Sequence, residues 1–497
     1  MDAAHDDQLI LESDFAAELA RQLEAAADAA ASGALSTRTH RARGRWLLVT
    51  ATLAAACVAV VVGIALSTSH GGPSGNQAVF APSSSADQQK RAPVAGKAAP
   101  LTYGDELSEV TRGADGHVWA WGVTHGTDKD HPGGPLLEVW DGQRWSSLAV
   151  PGNEVYGVAE PALGDLWIAV TKRQGGRLAH WDGTGWRLYP AMGFTGTSEV
   201  SDVLLAFSPD DVWAVGEASL DPRVFPSSAN LKKPWLQNYL TALHWDGTHW
   251  RSVAMPSLGR GRGEAYLHLL RGSSPDSIWA LGYYTQYRRK LVDGKRKWVG
   301  TGGSEVLLHW DGRRWSRQPL PTGQLATSRR DAFAVDDIAA APDGALWCAG
   351  RRWFGPDNKG DLFVSVVLRM EAGRWRIMAS SQSVSPPGDW RDVMVSSISL
   401  TSGDDVWVSG RTEPNGDGSV LWHWDGSSWS VTSLDTAQLP GQSAASRVLA
   451  LAPDDVWALC NGSTTVKDGL ERLQPSFLHY DGSAWRPVIP PPSEVEP

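Results

Sequence analysis

Two short phrases recur along this chain and constrain its fold more than any other feature. The first centres on a tryptophan after a turn, as in Asp-Asp-Val-Trp-Ala-Val-Gly at residues 210–216, and the second reads His-Trp-Asp-Gly-x-x-Trp, as at residues 244–250. Seven copies of each interleave from about residue 101 onward. The first phrase contributes Trp119, Trp167, Trp213, Trp279, Trp347, Trp407 and Trp457, and the second ends at Trp145, Trp186, Trp250, Trp315, Trp375, Trp429 and Trp485. Spacings of 46 to 68 residues between the first-phrase tryptophans are typical of a structural repeat with variable loops.

One repeat, residues 201–256, reads as four short strands. Apolar runs at 203–207, 212–215, 242–245 and 250–254 are separated by turn residues. Pro209 and Asp210 favour the first turn, and Asp246-Gly247 favours a tight hairpin because glycine tolerates positive φ. Four strands repeated seven times predict an all-β fold, a seven-bladed β-propeller with four antiparallel strands per blade over residues 101–490.

Aromatic composition agrees with a repeated core position. The chain has 26 tryptophans against nine tyrosines and nine phenylalanines, and we expect the repeat tryptophans to pack between blades. Histidines occupy one further repeat position, at His180, His244, His309, His423 and His479. Because these lie in different repeats, we expect hydrogen bonds within each blade rather than a shared metal site.

The repeats also resemble known families. Asp-Gly-His-Val-Trp-Ala-Trp-Gly at residues 115–122 and Asp-Gly-Ala-Leu-Trp-Cys-Ala-Gly at 343–350 resemble the short propeller repeats of bacterial two-component sensor ectodomains. The Trp-Asp-Gly hairpins are similar to Asp-box and Kelch-type blade hairpins. Three repeats depart from the pattern, at Val139, Met370 and Tyr480. The resemblance implies the propeller architecture and no particular activity, since propellers host many functions.

The N-terminal part predicts a membrane anchor. Residues 46–66 carry no charge and are long enough to span a bilayer. A basic run precedes them, formed by Arg38, Arg41, Arg43 and Arg45. The positive-inside rule therefore predicts a single-pass protein of a bacterial cell membrane, with residues 1–45 cytoplasmic and the propeller extracytoplasmic. A cleaved signal peptide is the alternative and fits less well. Residues 67–100, rich in Ser, Pro, Gly and Ala, predict a disordered tether, and residues 491–497 a C-terminal tail.

The cytoplasmic segment predicts a short helix. Phe15, Leu19 and Leu23 form one apolar stripe among acidic residues. The stripe belongs either to a solvated tail helix or to a helix, within residues 13–30, that docks a cytoplasmic partner.

Recognisable chemistry is sparse. The net charge of −10 argues against nucleic-acid binding, three cysteines argue against a disulfide framework, and no motif predicts a cofactor. His125, Asp128, Asp130 and His131 crowd one loop, but flanking Gly and Pro favour a solvated loop over a metal site. Four acids near the starts of first strands are candidates to meet at the channel mouth: Asp202, Glu264, Asp336 and Asp337.

Loop lengths differ between the two predicted faces. First-to-second and third-to-fourth turns are short, whereas residues 217–240, 283–304 and 351–362 read as longer second-to-third loops. Aromatic and arginine side chains favoured at binding sites gather in these loops and in the links: Tyr283, Tyr287, Arg288, Arg289, Trp353, Phe354 and Trp390. We therefore expect these residues to bind a protein, peptide or cell-wall glycan on the loop-rich face, with all of them except Trp390 forming one contiguous patch. An extracellular hydrolase or lyase acting on a polysaccharide, and a signalling protein that couples capture to the cytoplasmic helix, are the alternatives.

Overall fold

The computed structural model describes residues 105–124, 134–172, 175–189, 202–218, 239–258, 262–292, 294–325, 332–353, 363–381, 383–384, 392–413, 418–434, 439, 442–465 and 471–488. The chain divides into two compact units. One comprises Pro73–Gln286 and Gly302–Pro497, and the other Met1–Gly72 with Tyr287–Thr301. In the second unit, the described residues are those of a hairpin within 287–301.

The described residues of the first unit and the hairpin are almost entirely β-strand. The first strands of the repeats are β1 (Asp105–Arg112), β5 (Val155–Ala162), β9 (Leu204–Ser208), β13 (Arg262–Ser274), β17 (Ala332–Ala340), β21 (Asp392–Ser402) and β25 (Gln442–Ala452). The second strands are β2 (Val118–Thr124), β6 (Asp165–Lys172), β10 (Asp211–Ala218), β14 (Ser277–Val292), β18 (Leu346–Trp353), β22 (Asp405–Glu413) and β26 (Asp455–Thr465).

The outer half of each repeat follows the same order. The third strands are β3 (Gly134–Trp140), β7 (Gly175–Trp181), β11 (Tyr239–Trp245), β15 (Lys295–Trp310), β19 (Phe363–Glu371), β23 (Ser419–Trp424) and β27 (Glu471–Tyr480). The fourth strands are β4 (Trp145–Ser147), β8 (Trp186–Tyr189), β12 (Trp250–Val253), β16 (Trp315–Gln318), β20 (Arg374–Ser380), β24 (Trp429–Leu434) and β28 (Trp485–Val488). A short helix, α1 (Pro321–Leu325), and a 3-10 turn (Ala114–Gly116) complete the described elements.

These strands form seven four-stranded sheets, and within the described residues each sheet is built from one continuous repeat in the order first, second, third, fourth. First strands contact the first strands of neighbouring sheets, and β25 contacts β1. The sheets therefore close into a ring of seven blades with the first strands at the centre. The architecture predicted from the repeats, a seven-bladed β-propeller, is confirmed for the part of the chain that the structure describes.

The turn chemistry explains why the strands end where they do. In blade 3, Asp246 Oδ1 accepts hydrogen bonds from the backbone N–H groups of Thr248 (3.0 Å) and His249 (2.8 Å). Gly247 has φ +85, and a Cβ there would lie 2.8 Å from Cβ of Asp210 in the neighbouring turn. Glycine is thus required for both its dihedral and its lack of a side chain. Blade 5 uses another solution, a two-residue turn in which Ala372 and Gly373 both have positive φ.

Tryptophans hold the blades together. Trp213 of blade 3 is 3% exposed, and its ring lies 5.0 Å from that of Trp310 and 6.1 Å from that of Trp315, both in blade 4. Between blades 7 and 1, the rings of Trp145 and Phe477 stack with centroids 4.1 Å apart. Packing of repeat tryptophans between blades is the arrangement that the composition predicted.

The repeated histidines bond within their own blades. His244 stacks on Trp213 at 4.5 Å, and both share a carboxylate oxygen of Asp211 at 2.9 Å. The same three residue types recur at equivalent positions in blades 6 and 7. In blade 5, Arg369 stands in the histidine position, where its guanidinium lies over the Trp347 ring. These histidines stabilise the fold.

One loop expected from the sequence is wrong. Residues 283–304 read as a loop, but most of them belong to β14 and β15, two strands of 16 residues each. The residues around the connection favour strands, because Tyr, Thr and Val have high β propensity, and Asp293-Gly294 is a hairpin signal. Basic residues obscured this pattern.

The N-terminal predictions fall outside the described residues. This applies to the cytoplasmic helix, the span at 46–66 and the tether at 67–100. Among the residues that are described, no helix is both long and apolar enough to cross a membrane.

Candidate functional site

A ring of equivalent residues lies where the first strands surround the centre. We define this channel ring as Glu109, Gly157, Asp202, Leu269, Asp337, Ser397 and Arg447, each followed by a buried aliphatic residue. In five blades a β-bulge immediately precedes the ring residue. A bulge re-aims the following side chain. The repeat therefore places one residue per blade at a common level, and four of the seven are ionisable.

Glu109 and Arg447 form a bidentate ion pair across the joint between blades 1 and 7. The Arg447 Nε and Nη2 atoms donate to the two carboxylate oxygens at 2.9 and 2.8 Å, and Nη1 donates to the carbonyl of Ser446 at 2.9 Å. Glu109 is 2% exposed. Burial opposes the charge on Arg447, but the carboxylates of Glu109, Asp337 and Asp336 together outweigh it and raise the pKa of Arg447.

Arg271, two residues beyond the ring position of blade 4, lies between two further ring acids. Its Nη1 donates to Asp202 Oδ2 at 2.6 Å, and its Nη2 lies 3.6 Å from Asp337 Oδ1. Asp337 also accepts backbone N–H groups from Ile338 and Ile398, the latter in blade 6. Burial raises the pKa of Asp202 to about 7, and its Oδ1 has no hydrogen-bond partner among the described residues.

A second layer of charge lies one residue earlier along β17. Arg351 Nε donates to Asp336 Oδ2 at 2.9 Å and Nη2 to Oδ1 at 2.5 Å. Burial nevertheless raises the pKa of Asp336. On the third strand of blade 4, Glu305 Oε1 accepts the N–H of Val335 at 2.8 Å, and burial raises the pKa of Glu305 to about 7.

A cavity of about 260 Å³ opens among these groups. Its lining residues are Glu109, Tyr266, His268, Leu269, Val335, Asp336, Asp337 and Arg447. Blades 1 and 4 are not neighbours in the ring, so a cavity that touches both lies at the centre. We call it the channel cavity.

Strand direction shows which end of the channel the cavity occupies. First strands run toward the short turns, since β9 and β10 are separated by two residues (Ser208 to Asp211), whereas β10 and β11 are separated by twenty (Ala218 to Tyr239). The lining residues are at the channel ring or up to three residues before it. The cavity therefore lies toward the end that bears the long loops.

One wall of the cavity is aromatic and uncharged. The rings of Tyr266 and His268 lie 6.0 Å apart, and the Tyr283 ring lies 6.1 Å from that of Tyr266. Burial lowers the pKa of His268 to about 4, so this imidazole is neutral at pH 7. Its Nδ1 is buried without a hydrogen-bond partner among the described residues.

The cavity carboxylates are already engaged. Glu109 and Asp336 are each held by two arginine nitrogens, and Asp337 by two backbone N–H groups. A glycosidase needs one carboxyl group that gives up its proton and a second that acts as base or nucleophile. The three carboxylates that line this cavity are paired with arginine and backbone donors rather than with each other.

The residues predicted to bind a partner are divided between the two compact units and the segments outside the described residues. Tyr283 is half-buried on β14 in the first unit, while Tyr287, Arg288 and Arg289 follow on the same strand in the second. Trp353 ends β18, where its backbone pairs with Ala332 and Phe363. Phe354 and Trp390 lie outside the described residues. The contiguous patch thus stays a prediction.

Sequence reasoning named some channel residues and missed others. Of the four candidate acids, Asp202, Asp336 and Asp337 do converge, and the side chain of Glu264 lies outside the described residues. Glu109, Tyr266, His268, Arg271 and Arg447 were not predicted. An alignment of the seven first strands on the buried aliphatic after the ring position would have found Glu109 and Arg447.

Metal chemistry has no support in the described part of the chain, where no group of three or more His, Cys, Asp or Glu could hold an ion. The loop of His125, Asp128, Asp130 and His131 lies outside that part. Cys348 and Cys460 are buried free thiols.

No protein-family model and no curated protein matches the sequence. Similar solved structures include polysaccharide lyase Uly1, with 10% identity, a TM-score of 0.46, and coverage of 82% of this chain and 98% of that chain. The β-propeller domain of the Trilobed protease from Pyrococcus furiosus has 10% identity, a TM-score of 0.41, and coverage of 80% and 100%. Aleuria aurantia lectin has 11% identity, a TM-score of 0.35, and coverage of 78% and 96%. These likenesses assign no ligand to this chain.

Proposed function

We propose that this protein is a membrane-anchored, extracytoplasmic binding protein that captures a polymer, a glycan or a peptide, through the loop-bearing end of its propeller. The channel cavity carries the proposal. It combines an aromatic wall, one arginine, Arg447, held in place by the Glu109 carboxylate, and a location toward the end at which second and third strands are joined by long connections. The anchor is the proposed span at residues 46–66.

The size of the cavity limits what enters it. Pockets that bury a whole drug-sized ligand measure about 300–1,000 Å³, and this cavity, at about 260 Å³, is smaller. It suits one sugar ring or one side chain. The rest of the polymer would lie across the loops, so the cavity would bind a terminal or protruding group of the polymer.

The wall of the cavity suits a neutral polar group. Tyr266 offers an aromatic face for stacking, and neutral His268 offers a nitrogen that accepts or donates. Because His268 Nδ1 has no described partner and is buried, a ligand hydroxyl or amide that reached it would gain a hydrogen bond that the unliganded protein lacks. A sugar hydroxyl or peptide amide has this chemistry.

The test measures binding of the full-length chain, kept in nonionic detergent, to insoluble cell-wall material and to solubilised envelope extract fixed on a support. The fraction of the chain that is retained is compared between variants. We expect Tyr266→Ala and His268→Ala each to weaken retention at least about tenfold, which is the loss of one good contact. The matched control is Asp425→Ala in a short turn, which we expect to leave capture intact. Trp353→Ala is expected to weaken capture by a smaller factor, because Trp353 is not among the residues that line the cavity.

Two results would contradict the proposal. One is full retention in both cavity variants with an intact fold. The other is loss of retention in Asp425→Ala alone, which would move the site to the short-turn face.

A further inference from the structure

The hairpin at residues 287–301, formed by the end of β14 and the start of β15, concentrates positive charge in an acidic protein. Residues 287–301 contain six basic residues and one acid, Asp293, whereas the whole chain has a net charge of −10. Arg288, Arg289 and Lys290 on β14 are exposed, as are Lys295 and Arg296 on β15.

The same hairpin exposes an apolar side chain next to these bases. Leu291 is 72% exposed, more than Leu163 or Ile377, the other exposed large hydrophobic residues of the described structure. Val292 follows and is half-buried. Leaving a leucine in water beside the hairpin connection costs free energy that contact with an apolar phase would recover.

Alternation along the strand gives the hairpin two different sides. Arg288 and Lys290 point to one side, and Arg289 and Leu291 to the other, because successive side chains of a strand alternate. Arg289 therefore shares the side of Leu291, and Arg288 and Lys290 lie on the opposite side, so a hairpin that enters the head groups by its connecting end brings bases from both sides to the phosphates. A soluble polyanion would be served by the bases alone, whereas an anionic bilayer offers phosphates to the bases and an acyl boundary to the leucine.

We propose that this basic hairpin docks on an anionic phospholipid bilayer, with Leu291 entering the interface and the surrounding arginines and lysines contacting lipid phosphates. This role is separate from capture in the channel cavity and does not depend on the ligand. Each basic side chain near an anionic surface increases partitioning by about fivefold, an effect that salt reduces.

The experiment uses the full-length chain in nanodiscs of phosphatidylcholine alone or of phosphatidylcholine mixed with phosphatidylglycerol, an anionic lipid that gives the surface a negative potential. Hydrogen exchange of the backbone amides in 287–301 is measured by mass spectrometry. We expect exchange to slow at least about fivefold in the anionic discs, the effect of one engaged base, and the difference to shrink in high salt. If the chain does not insert into the nanodiscs, it is mixed with vesicles of the same two compositions. Failure of the proposed membrane anchor is then distinguished from failure of the hairpin to dock.

Matched variants separate the hairpin from bulk charge. Arg288→Glu with Lys290→Glu should abolish the difference between the lipids. Arg313→Glu with Arg314→Glu, in the exposed turn between β15 and β16, changes the net charge equally and should retain it. Leu291→Ser should weaken the protection that persists in high salt. Exchange in the other strands reports whether each variant is folded.

Three outcomes would overturn the proposal. Equal exchange of the hairpin in both lipids would show that it does not dock. If Arg313→Glu with Arg314→Glu also abolished the difference between the two lipids, the effect would be one of net charge and not of the hairpin. Dextran sulfate added to neutral discs could slow exchange of the hairpin as much as anionic lipid does. If Leu291→Ser did not change that effect, the partner would be a soluble polyanion instead.

Discussion

Two buried carboxyl groups make the stability of the folded state depend on pH. Burial raises the pKa values of Asp202 and Glu305 to about 7, whereas an unfolded chain titrates such groups near pH 4. Between these values the folded state binds more protons than the unfolded state, so stability falls as pH rises from about 4 to 7. The contribution of these two groups is most favourable below pH 4 and has been lost above pH 7.

Glu305→Gln tests this sign. Glutamine keeps an oxygen for the Val335 N–H but has no charge to bury. We expect little change in the free energy of unfolding at pH 4 and a gain at pH 8 of up to about 3 kcal/mol, the equivalent of the shift from the ordinary value. Urea denaturation across this pH range measures it, and an equal effect at both pH values would refute the assignment.

The opposite sign is expected for a turn acid. Backbone N–H and hydroxyl donors of Ser427 and Ser428 hold the pKa of Asp425 below its usual range. Asp425→Asn should therefore lower the free energy of unfolding at pH 7, and the loss should shrink as the pH falls through the low pKa of Asp425. Because its pH dependence has the opposite sign, this variant is the control for Glu305→Gln.

Channel residues also show where sequence reasoning stops. Asp202, Asp336 and Asp337 could be proposed from their positions at first strands. Their partners could not, because Arg271 is 69 residues from Asp202, and only ring closure brings Arg447 to Glu109. Which acid pairs with which arginine inside the channel depends on which blades face each other. The sequence of a single repeat does not contain that information.

At the scale of elements, strands and turns were predictable because each follows from local chemistry. Trp213, the turn at Asp246-Gly247 and the apolar runs of repeat three all lie where expected. The β14–β15 hairpin was missed because its exposed bases resemble a loop, although strand length is decided by backbone pairing rather than by hydrophobic content. The predicted patch around Trp353 depends on long connections, which carry no repeat pattern.

Trp213→Ala is the prediction for the blade interface. It removes a ring packed on Trp310 and Trp315 of the next blade, and we expect a loss of about 3–5 kcal/mol in the free energy of unfolding. Leu163→Ala, at a side chain 61% exposed, should change it by less than about 0.5 kcal/mol. Chemical denaturation compares them, and similar losses would remove the distinction between interface and surface.

For the whole molecule, ring closure depends on side chains rather than on a shared strand within the described residues. Arg447 grips Glu109, Asn461 Nδ2 donates to the carbonyl of Leu107 at 2.7 Å, and Arg112 donates to the carbonyl of Leu451. Each blade keeps its own four strands. The joint between blades 7 and 1 therefore rests on packing and a few polar and charged contacts.

Arg447→Met tests the joint. It leaves Glu109 buried without its cation, and removing one partner of a buried pair costs about 3–5 kcal/mol. The double variant with Glu109→Met should recover much of that loss because no unpaired charge remains. A double-mutant cycle by denaturation measures the coupling, and a cycle whose single changes simply add would show that the pair does not hold the ring.

Building each blade from one uninterrupted stretch has a consequence for biosynthesis. A blade can complete its hydrogen bonding once its fourth strand has left the ribosome, and such local pairing favours rapid folding. The last joint is different, because Arg447 and Glu109 are 338 positions apart. Until blade 7 emerges, Trp145 lacks the Phe477 ring on which it stacks. The nascent protein thus carries an exposed apolar flank on blade 1 for most of its synthesis.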